Sequence, residues 1–340
     1  MRVPIVRSLA LLATCALTTC AFAQQPYRVV ANWKIGGTGG WDYLLADPSA
    51  HMLYVTHGQR VEVVDTETGK PAGAITGLKG THGIALDSEG KVGYISDGGA
   101  NAVIIFDRKT FAIVGSVTTG TNPDGIAFEP VTKTIWAFNG TSKNATVIDA
   151  AKRTVVATIA LPGKPEFPQV DGKGNVFVNI EDKNSILKLD AKTNAIVATW
   201  PIAGCESPSG LSLDADHMRL FAVCDGKKMG VVDANTGKLI GLANVGEGPD
   251  AAGYNAKEQL AFASNGDGTL SIVDTKSGLK TVQTVATRKG ARTMAYDAKM
   301  DRVYLSSSEY GPKPEPTAAN PKPRAKPLAD SFSIVVVGRK

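Results

Sequence analysis

Val61-Glu62-Val63-Val64-Asp65 is the segment that decides the fold, because close copies of it recur along the chain. Each copy is a short run rich in apolar and β-branched residues, and most copies end in aspartate. The further copies, six in number, are Val103–Asp107, Ala145–Asp149, Ile186–Asp190, Met229–Asp233, Leu270–Asp274 and Phe332–Val336. The aspartates are 41 to 43 residues apart. A regular interval of this length is typical of a repeat protein in which each unit is one small sheet.

Each repeat contains four strand-like segments separated by turn residues. Gly125–Phe128 is an example of the first, Leu53–Thr56 of the second and Val155–Ile159 of the fourth. The aspartate-ended run is the third, and its aspartate is suited to accept hydrogen bonds from the amides of the turn that follows. Four antiparallel strands in 41 to 43 residues are the pattern of a propeller blade.

The two ends of the chain supply the parts of one further blade. Tyr27–Ile35 has the pattern of a fourth strand, with no first three strands before it. The last repeat has only three strands, Thr293–Tyr296, Val303–Ser306 and Phe332–Val336. Pairing the two ends would remove a free sheet edge. We therefore predict an all-β fold: a seven-bladed β-propeller with four antiparallel strands per blade, its last blade closed by the N-terminal strand.

Three features carry a resemblance to a known family. The segment Tyr54-Val55-Thr56-His57, the aspartate-ended strands and the blade start Gly120-Thr121-Asn122-Pro123 resemble the exported bacterial YVTN-repeat β-propeller family. The resemblance covers residues 27–340 and implies a seven-bladed, WD40-like or quinoprotein-like architecture. It implies no particular activity, because related propellers include lactonases and haem- or quinone-linked redox proteins, and a fold does not select a function.

The N-terminus has the pattern of an export signal. Arg2 and Arg7 precede an apolar stretch that ends in Ala21-Phe22-Ala23, where cleavage is expected. A lipoprotein signal at Cys20 is the alternative. The expected organisation is a signal peptide over 1–23 and one propeller domain over 24–340, in the periplasm or secreted. The apolar stretch is too short for a permanent anchor, and we expect no membrane span.

Composition and motifs exclude several classes of function. Without the two leader arginines the chain has 35 basic and 32 acidic residues, which is too balanced for a nucleic-acid-binding protein. No phosphate-binding loop, dinucleotide fingerprint or nucleophile elbow is present. Cys-x-x-Cys-His is also absent, so covalent haem is not expected. We expect a monomer whose partner is a small polar ligand or an envelope protein.

Two cysteines remain after the leader, Cys205 and Cys224. An even number in an oxidising compartment predicts one disulfide. Two free buried thiols are the alternative, and a cysteine metal pair is disfavoured because no companion ligand is close in sequence.

Loops on one face of a propeller converge on its central channel, where binding sites gather. The residues expected to open the first strand of each blade on this face are Asp42, His82, Asp124, Glu166, Glu206, Asp250 and Arg292. Like charges close to one axis raise the pKa of carboxyl groups, and such a group needs a cation: Arg292, a metal or a cationic ligand. The alternative is that these side chains cap turns or point outward.

We predict a ligand-binding funnel formed by these seven residues together with Trp41 and His57. The candidate ligands of a divalent cation are Asp42, Asp124, Glu206 and Asp250. The favoured function is a binding or scaffold propeller. One alternative is a metal-assisted, lactonase-like hydrolase, and its candidate catalytic residues are His82, Glu166, Glu206 and Arg292. A second is an accessory propeller of a periplasmic redox system.

A Pro-rich insertion over 311–328 interrupts the last blade. It has six prolines, which favour extended polyproline II or disorder. By loop parity it projects from the face that carries the carboxylates. It is expected to act as a lid or docking arm, or as a solvated spacer with no role.

Overall fold

The computed structural model describes residues 25–317, 320–321, 323 and 325–339. The predicted signal peptide over 1–23 lies outside these residues. The described chain folds into strands, with one short 3-10 turn at Glu181–Lys183. None of its helical segments is long and apolar enough to span a bilayer.

The strands follow one another blade by blade. Blade 1 contains Trp41–Asp47 (β2), Met52–His57 (β3), Arg60–Asp65 (β4) and Pro71–Ile75 (β5). Blade 2 contains Thr81–Leu86 (β6), Val92–Asp97 (β7), Ala102–Asp107 (β8) and Ile113–Thr118 (β9). Blade 3 contains Pro123–Glu129 (β10), Thr134–Asn139 (β11), Asn144–Asp149 (β12) and Thr154–Ala160 (β13). Blade 4 contains Pro165–Val170 (β14), Asn175–Ile180 (β15), Ser185–Asp190 (β16) and Ala195–Pro201 (β17).

The remaining blades repeat this order until the chain closes. Blade 5 contains Leu211–Asp214 (β18), Arg219–Cys224 (β19), Lys228–Asp233 (β20) and Leu239–Asn244 (β21). Blade 6 contains Pro249–Asn255 (β22), Leu260–Asn265 (β23), Thr269–Asp274 (β24) and Lys280–Ala286 (β25). Blade 7 contains Met294–Asp297 (β26), Arg302–Ser307 (β27), Ser333–Gly338 (β28) and the N-terminal Arg28–Lys34 (β1).

The predicted fold is confirmed. The described strands form seven four-stranded sheets, and within each sheet all neighbours are antiparallel. β1 pairs with β28, from Arg28 opposite Gly338 to Lys34 opposite Ser333. The first and last parts of the chain therefore share one sheet, which closes the ring.

The aspartates that end the third strands hold turns together, as predicted. Asp65 Oδ1 accepts hydrogen bonds from the backbone amides of Glu67 at 2.9 Å and Thr68 at 2.8 Å. The same pair of contacts recurs at Asp107, Asp149, Asp190, Asp233 and Asp274. Their repetition therefore reflects turn geometry and marks no chemical site.

The core lies between adjacent blades, because each sheet packs both of its faces against neighbours. Trp136, Tyr54 and Phe221 are completely buried on middle strands. The outer strands instead alternate exposed and half-buried residues, as in Thr154–Ala160. This burial keeps the seven inner strands at fixed positions around the channel, and those strands carry the candidate site.

A disulfide joins Cys205, before the first strand of blade 5, to Cys224, at the end of its second strand. Both cysteines are buried. The link therefore fixes the loop that leads into this blade. It closes a chain segment in which the two residues are separated by 19 positions.

Removing this disulfide is expected to lower the free energy of unfolding by about 3 kcal/mol, the loop-closure value for a segment of this length. Urea denaturation of Cys205→Ala, Cys224→Ala and the double variant measures the effect. The double variant should lose little more than either single variant, since each removes the same link. Additive losses from the two single variants would contradict a shared bond.

The Pro-rich insertion has a paired base, which the proline content did not lead us to expect. Tyr310 and Pro327 form an isolated antiparallel bridge, and the amide of Gly311 donates to the carbonyl of Lys326 at 2.9 Å. The amide of Leu328 donates to the carbonyl of Glu309 at 2.8 Å. The amides that donate these hydrogen bonds belong to Gly311 and Leu328, so the neighbouring prolines, which have no N–H, do not interrupt the pairing. The arm is therefore attached to blade 7 at its root.

Candidate functional site

Four carboxylates converge on one point of the central channel. The pKa of Tyr43 is raised well above its ordinary value, first by burial and then by the charges of the carboxylates around it. Those carboxylates belong to Asp42, Asp124, Glu166 and Asp250, which come from four different blades. Residues far apart in sequence are therefore neighbours around the channel, and we call this group the acidic funnel.

Glycines allow the inner strands to approach one another at the funnel. A Cβ atom on Gly125 would lie 2.6 Å from the carbonyl oxygen of Glu166 in the next blade. One on Gly83 would lie 2.8 Å from the carbonyl oxygen of Asp124. In both cases the glycine directly after a funnel residue contacts the backbone of the funnel residue in the next blade. A side chain at this position would clash, so only glycine fits.

The tightest cluster in the funnel consists of Asp42, His82 and Asp124, on the first strands of blades 1, 2 and 3. His82 Nδ1 lies 2.7 Å from Asp42 Oδ2 and 3.8 Å from Asp124 Oδ1. One ligand atom from each residue lies within 4.8 Å of the other two. Bonds of ~2.1 Å to a tetrahedral Zn²⁺ place ligand atoms ~3.4 Å apart. The three groups fit one small cation after small side-chain rotations.

The other nitrogen of His82 also has a partner. Since Nδ1 faces Asp42, the hydrogen bond between His82 and the side chain of Asn122 comes from Nε2. Metal-binding histidines almost always donate their second N–H to such an acceptor, which fixes the ring orientation. Burial disfavours the charged imidazole, but the hydrogen bond to Asp42 and the charge of Asp124 prevail and raise the pKa of His82 to about 9.

Asp124 and Glu166 hold protons more tightly than ordinary carboxyl groups. Burial, and next the charge of Asp42, raises the pKa of Asp124 to about 7. Burial, and next the charge of Asp124, raises the pKa of Glu166 to about 8. Lys164 partly compensates, because its Nζ lies 2.7 Å from Glu166 Oε1 and 2.5 Å from Glu181 Oε2. Asp124 has no cation at such short range: His82 Nδ1 lies 3.8 Å away, and the charges of His82 and Lys164 only partly oppose the rise in its pKa.

Asp250 has two partners of its own. Arg292 Nε lies 3.4 Å from Asp250 Oδ2, and the hydroxyl of Ser209 donates to Asp250 Oδ1 at 3.0 Å. Burial still raises the pKa of Asp250, and Arg292 opposes the rise. The predicted cation Arg292 therefore pairs with one carboxylate of the funnel and leaves the Asp42–His82–Asp124 cluster to itself.

Glu206 is not among the carboxylates whose charges act on Tyr43. It is exposed, and its backbone forms an isolated bridge with Asp225. Ser209 takes its place, because Ser209 precedes Gly210 as Asp124 precedes Gly125. Counted from the aspartate that ends the preceding third strand, the loop into blade 5 is two residues longer than the loops into blades 2, 3, 4 and 6, so Glu206 lies earlier in the loop than the funnel residues of those blades.

Two aromatic rings close the bottom of the funnel. Tyr43 of blade 1 and Phe167 of blade 4 stack with their centroids 4.1 Å apart. Blades 1 and 4 are not neighbours in the ring, so the two rings meet across the channel. The hydroxyl of Tyr43 is buried with no hydrogen-bond partner among the described residues. This hydroxyl is therefore free to donate a hydrogen bond to a ligand in the funnel.

Below these rings the channel continues as a separate cavity of about 600 Å³. Its walls include Ile84, Ile126, Leu211 and Met294, and Arg108 lies at its far end. Polar groups such as Asp47, Asp87 and Gln169 also line it, so its walls are mixed in character. Tyr43 and Phe167 are also among its lining residues, so the stacked rings border both the funnel and this cavity.

Two other predicted funnel residues lie elsewhere. His57 is buried, and its ring stacks on Phe332 at 4.1 Å, so it belongs to the contact between blades 1 and 7. Trp41 packs on Phe332 at 5.3 Å and on Tyr310 at 6.1 Å. It lines the space beside the Pro-rich arm.

Sequence reasoning missed Tyr43, Lys164 and Ser209. Tyr43 was detectable, because the position after the funnel residue is Gly83, Gly125 and Gly210 in other blades and bulky only at Tyr43 and Phe167. Lys164 carries no such signal, since its contact with Glu166 depends on how the loop before β14 is folded.

Comparisons with known proteins support the architecture. No model of a known protein family matches the chain. The PE-PGRS family protein PE_PGRS18 of Mycobacterium tuberculosis (strain ATCC 25618 / H37Rv) is 39% identical over 51 residues, which are 15% of this chain and 11% of that protein. The chain thus matches about a tenth of the length of that relative.

Two solved structures are similar to this one over most of the chain. Hydrazine synthase of Kuenenia stuttgartiensis has a TM-score of 0.71 at 15% identity, over 79% of this chain and 92% of the other. U3-55K has a TM-score of 0.74 at 11% identity, over 92% of this chain and 99% of the other. Likeness at such low identity shows the propeller fold alone.

Proposed function

We propose that this protein is a binding propeller whose acidic funnel holds one divalent transition-metal ion on Asp42, His82 and Asp124. The observation that carries the proposal is that His82 Nδ1 lies 2.7 Å and 3.8 Å from the two carboxylates. Two carboxylate oxygens and one imidazole nitrogen form a mixed ligand set. Asn122 supports the imidazole from its other side, and the buried hydroxyl of Tyr43 supplies a donor beneath the group.

The ligand set favours some ions over others. Ca²⁺ and Mg²⁺ prefer oxygen ligands alone, whereas an imidazole suits Zn²⁺ and related ions. In sites of this kind affinity increases from Mn²⁺ to Zn²⁺. The bound ion would also add positive charge beside Asp124, whose carboxyl group burial otherwise keeps partly protonated at pH 7.

The proposal includes export and the family suggested by the sequence. We place the chain among the exported YVTN-repeat propellers, in the periplasm or outside the cell. The repeat pattern and the Cys205–Cys224 disulfide support this, since disulfides persist in oxidising compartments. The hydrolase alternative is weakened, because Glu206, one of its four groups, lies outside the funnel.

Titration of chelator-treated protein with metal ions tests the proposed site. Isothermal titration calorimetry with Zn²⁺, Mn²⁺ and Ca²⁺ should give one Zn²⁺ per chain, with weaker Mn²⁺ binding and weaker still Ca²⁺ binding. Each Zn²⁺ should release more than one proton at pH 7, because His82, with a pKa of about 9, must become neutral to bind and Asp124, with a pKa of about 7, must lose the proton that part of the population still carries. No Zn²⁺ binding at millimolar concentration, or Ca²⁺ binding as tight as Zn²⁺ binding, would overturn the proposal.

A further inference from the structure

A second cavity lies beside the funnel, under the Pro-rich arm. It has a volume of about 700 Å³, within the ~300–1,000 Å³ range of small-molecule sites. Four parts of the described chain enclose it: the start of β2, the turn between β23 and β24, the loop before β26 and the arm itself. Its lining includes Trp41, Lys289, Arg292, Tyr310, Lys313 and Pro323. We call this space the arm pocket.

The charge of the arm pocket is opposite to that of the funnel. Three of its described lining residues are cationic, Lys289, Arg292 and Lys313, and none is acidic. Neither lysine forms an ion pair within the described part of the chain. Arg292 faces Asp250 through Nε at 3.4 Å, and no described residue accepts a hydrogen bond from its two terminal nitrogens. The pocket thus carries positive charge that its own walls do not balance.

An aromatic wall lies next to these cations. The rings of Trp41 and Tyr310 are 6.1 Å apart between centroids, with their planes inclined by 54°. Gly290 makes room for the second ring, because a Cβ atom there would lie 2.5 Å from the hydroxyl of Tyr310. Arg292 is close enough to oppose the rise in the pKa of Tyr310 that burial causes. The guanidinium and the aromatic wall therefore meet in one place.

We infer that the arm pocket binds a flat, aromatic carboxylate. The carboxylate pairs with the free edge of the Arg292 guanidinium, between Lys289 and Lys313, and the ring lies against Trp41 and Tyr310. Guanidinium and carboxylate form two parallel hydrogen bonds, and stacked rings add a preference for planar ligands. The buried Pro323 covers the pocket from the side of the arm. This site is separate from the cation site, and it prefers ligands of the opposite charge.

Calorimetric titration of the full protein with 2-naphthoate tests this inference. The matched probe is 2-naphthylmethylamine, a cation of nearly the same shape. The wild type should bind the carboxylate at least about tenfold more tightly than the amine, and Arg292→Gln should lose about tenfold or more of the carboxylate affinity. Tyr310→Leu should weaken 2-naphthoate binding and leave that of acetate unchanged, because only the ring contact is removed.

Controls separate this pocket from the funnel. Lys152→Gln removes an exposed lysine of blade 3 that pairs with Asp149, and it should leave 2-naphthoate binding unchanged. His82→Ala should also leave it unchanged, whether or not the proposed metal site exists. Equal affinity for the two probes, full affinity in Arg292→Gln, or loss of binding in His82→Ala would each overturn the inference.

Discussion

Asp124→Asn will weaken Zn²⁺ binding by more than about 100-fold. Loss of a group that merely orients a metal ligand already lowers affinity about 10–100-fold, and Asp124 is one of the three proposed ligands themselves. The asparagine keeps the size of the side chain and removes its charge. Asp42→Asn and His82→Ala should have effects of the same order. Calorimetric titration with Zn²⁺ at pH 7 measures all three.

Two carboxylates of the same chain provide matched controls. Asp250→Asn makes the same change in the funnel, at a carboxylate already paired with Arg292 and Ser209. Glu206→Gln removes an exposed carboxylate outside it. Both should keep Zn²⁺ affinity within about twofold of wild type. If Asp250→Asn weakens binding as much as Asp124→Asn, the ion is held by the whole ring and the three-residue site is wrong.

Raising the pH from 5 to 9 will destabilise the metal-free protein. For Asp124, Glu166 and Asp250 the pKa is higher in the folded state, so between the unfolded and folded values the folded state binds more protons. Stability then falls as the pH rises. His82 acts in the same direction: its stabilising charge is complete below 6.5, the ordinary value, and is lost as the pH rises through its folded pKa of about 9.

The funnel carboxyl groups and the turn aspartates affect stability in different pH ranges. Hydrogen bonds from the Thr68 amide and hydroxyl, the largest causes, lower the pKa of Asp65. A depressed carboxyl pKa contributes stability that is lost only as the pH falls below its ordinary value, which is 3.8 here. Urea midpoints measured from pH 5 to pH 9 therefore report mainly on the funnel.

Asp124→Asn should make the metal-free protein more stable than wild type at pH 8. The expected gain is up to about 4 kcal/mol, because the pKa of Asp124 rises from 3.8 to about 7 on folding and each pKa unit corresponds to about 1.4 kcal/mol. Saturating Zn²⁺ should stabilise the wild type and not the variant, because an ion that binds only the folded state shifts the equilibrium. A flat pH profile, or a variant less stable than wild type at pH 8, would show that the carboxylates are not crowded.

The repeat made the fold predictable from sequence. Turn-capping aspartates such as Asp65 and the interval of 41 to 43 residues are local signals, and seven similar units can close only as a ring. The isolated fourth strand at Tyr27–Ile35 predicted the closure, and β1 pairs with β28 accordingly. Strand bounds differed by a residue or two, because the ends of strands depend on pairing that the sequence does not state.

The funnel was predictable only in outline. Glu206 is the carboxylate nearest to the first strand of blade 5, but it lies in a longer loop. Alignment of the repeats on the glycine that follows the funnel residue selects Ser209, which precedes Gly210. Trp41 and His57 were placed by loop parity, which gives the face of the propeller but not the direction of a side chain. Both turn into the contact between blades 1 and 7, because Phe332 offers each of them an apolar surface.

The sequence by itself determined the number of blades, the order of their strands and the face on which the acidic residues meet, because turns and alternating burial are properties of short segments. Only the tertiary structure decided which charges are compensated. Lys164 pairs with Glu166, Arg292 pairs with Asp250, and Asp124 shares His82 with Asp42. The stacking of Tyr43 on Phe167 also depends on tertiary structure, because the two rings come from blades 1 and 4. Interaction energies between such groups depend on distances of a few ångströms across the axis, and packing of the closed ring sets those distances.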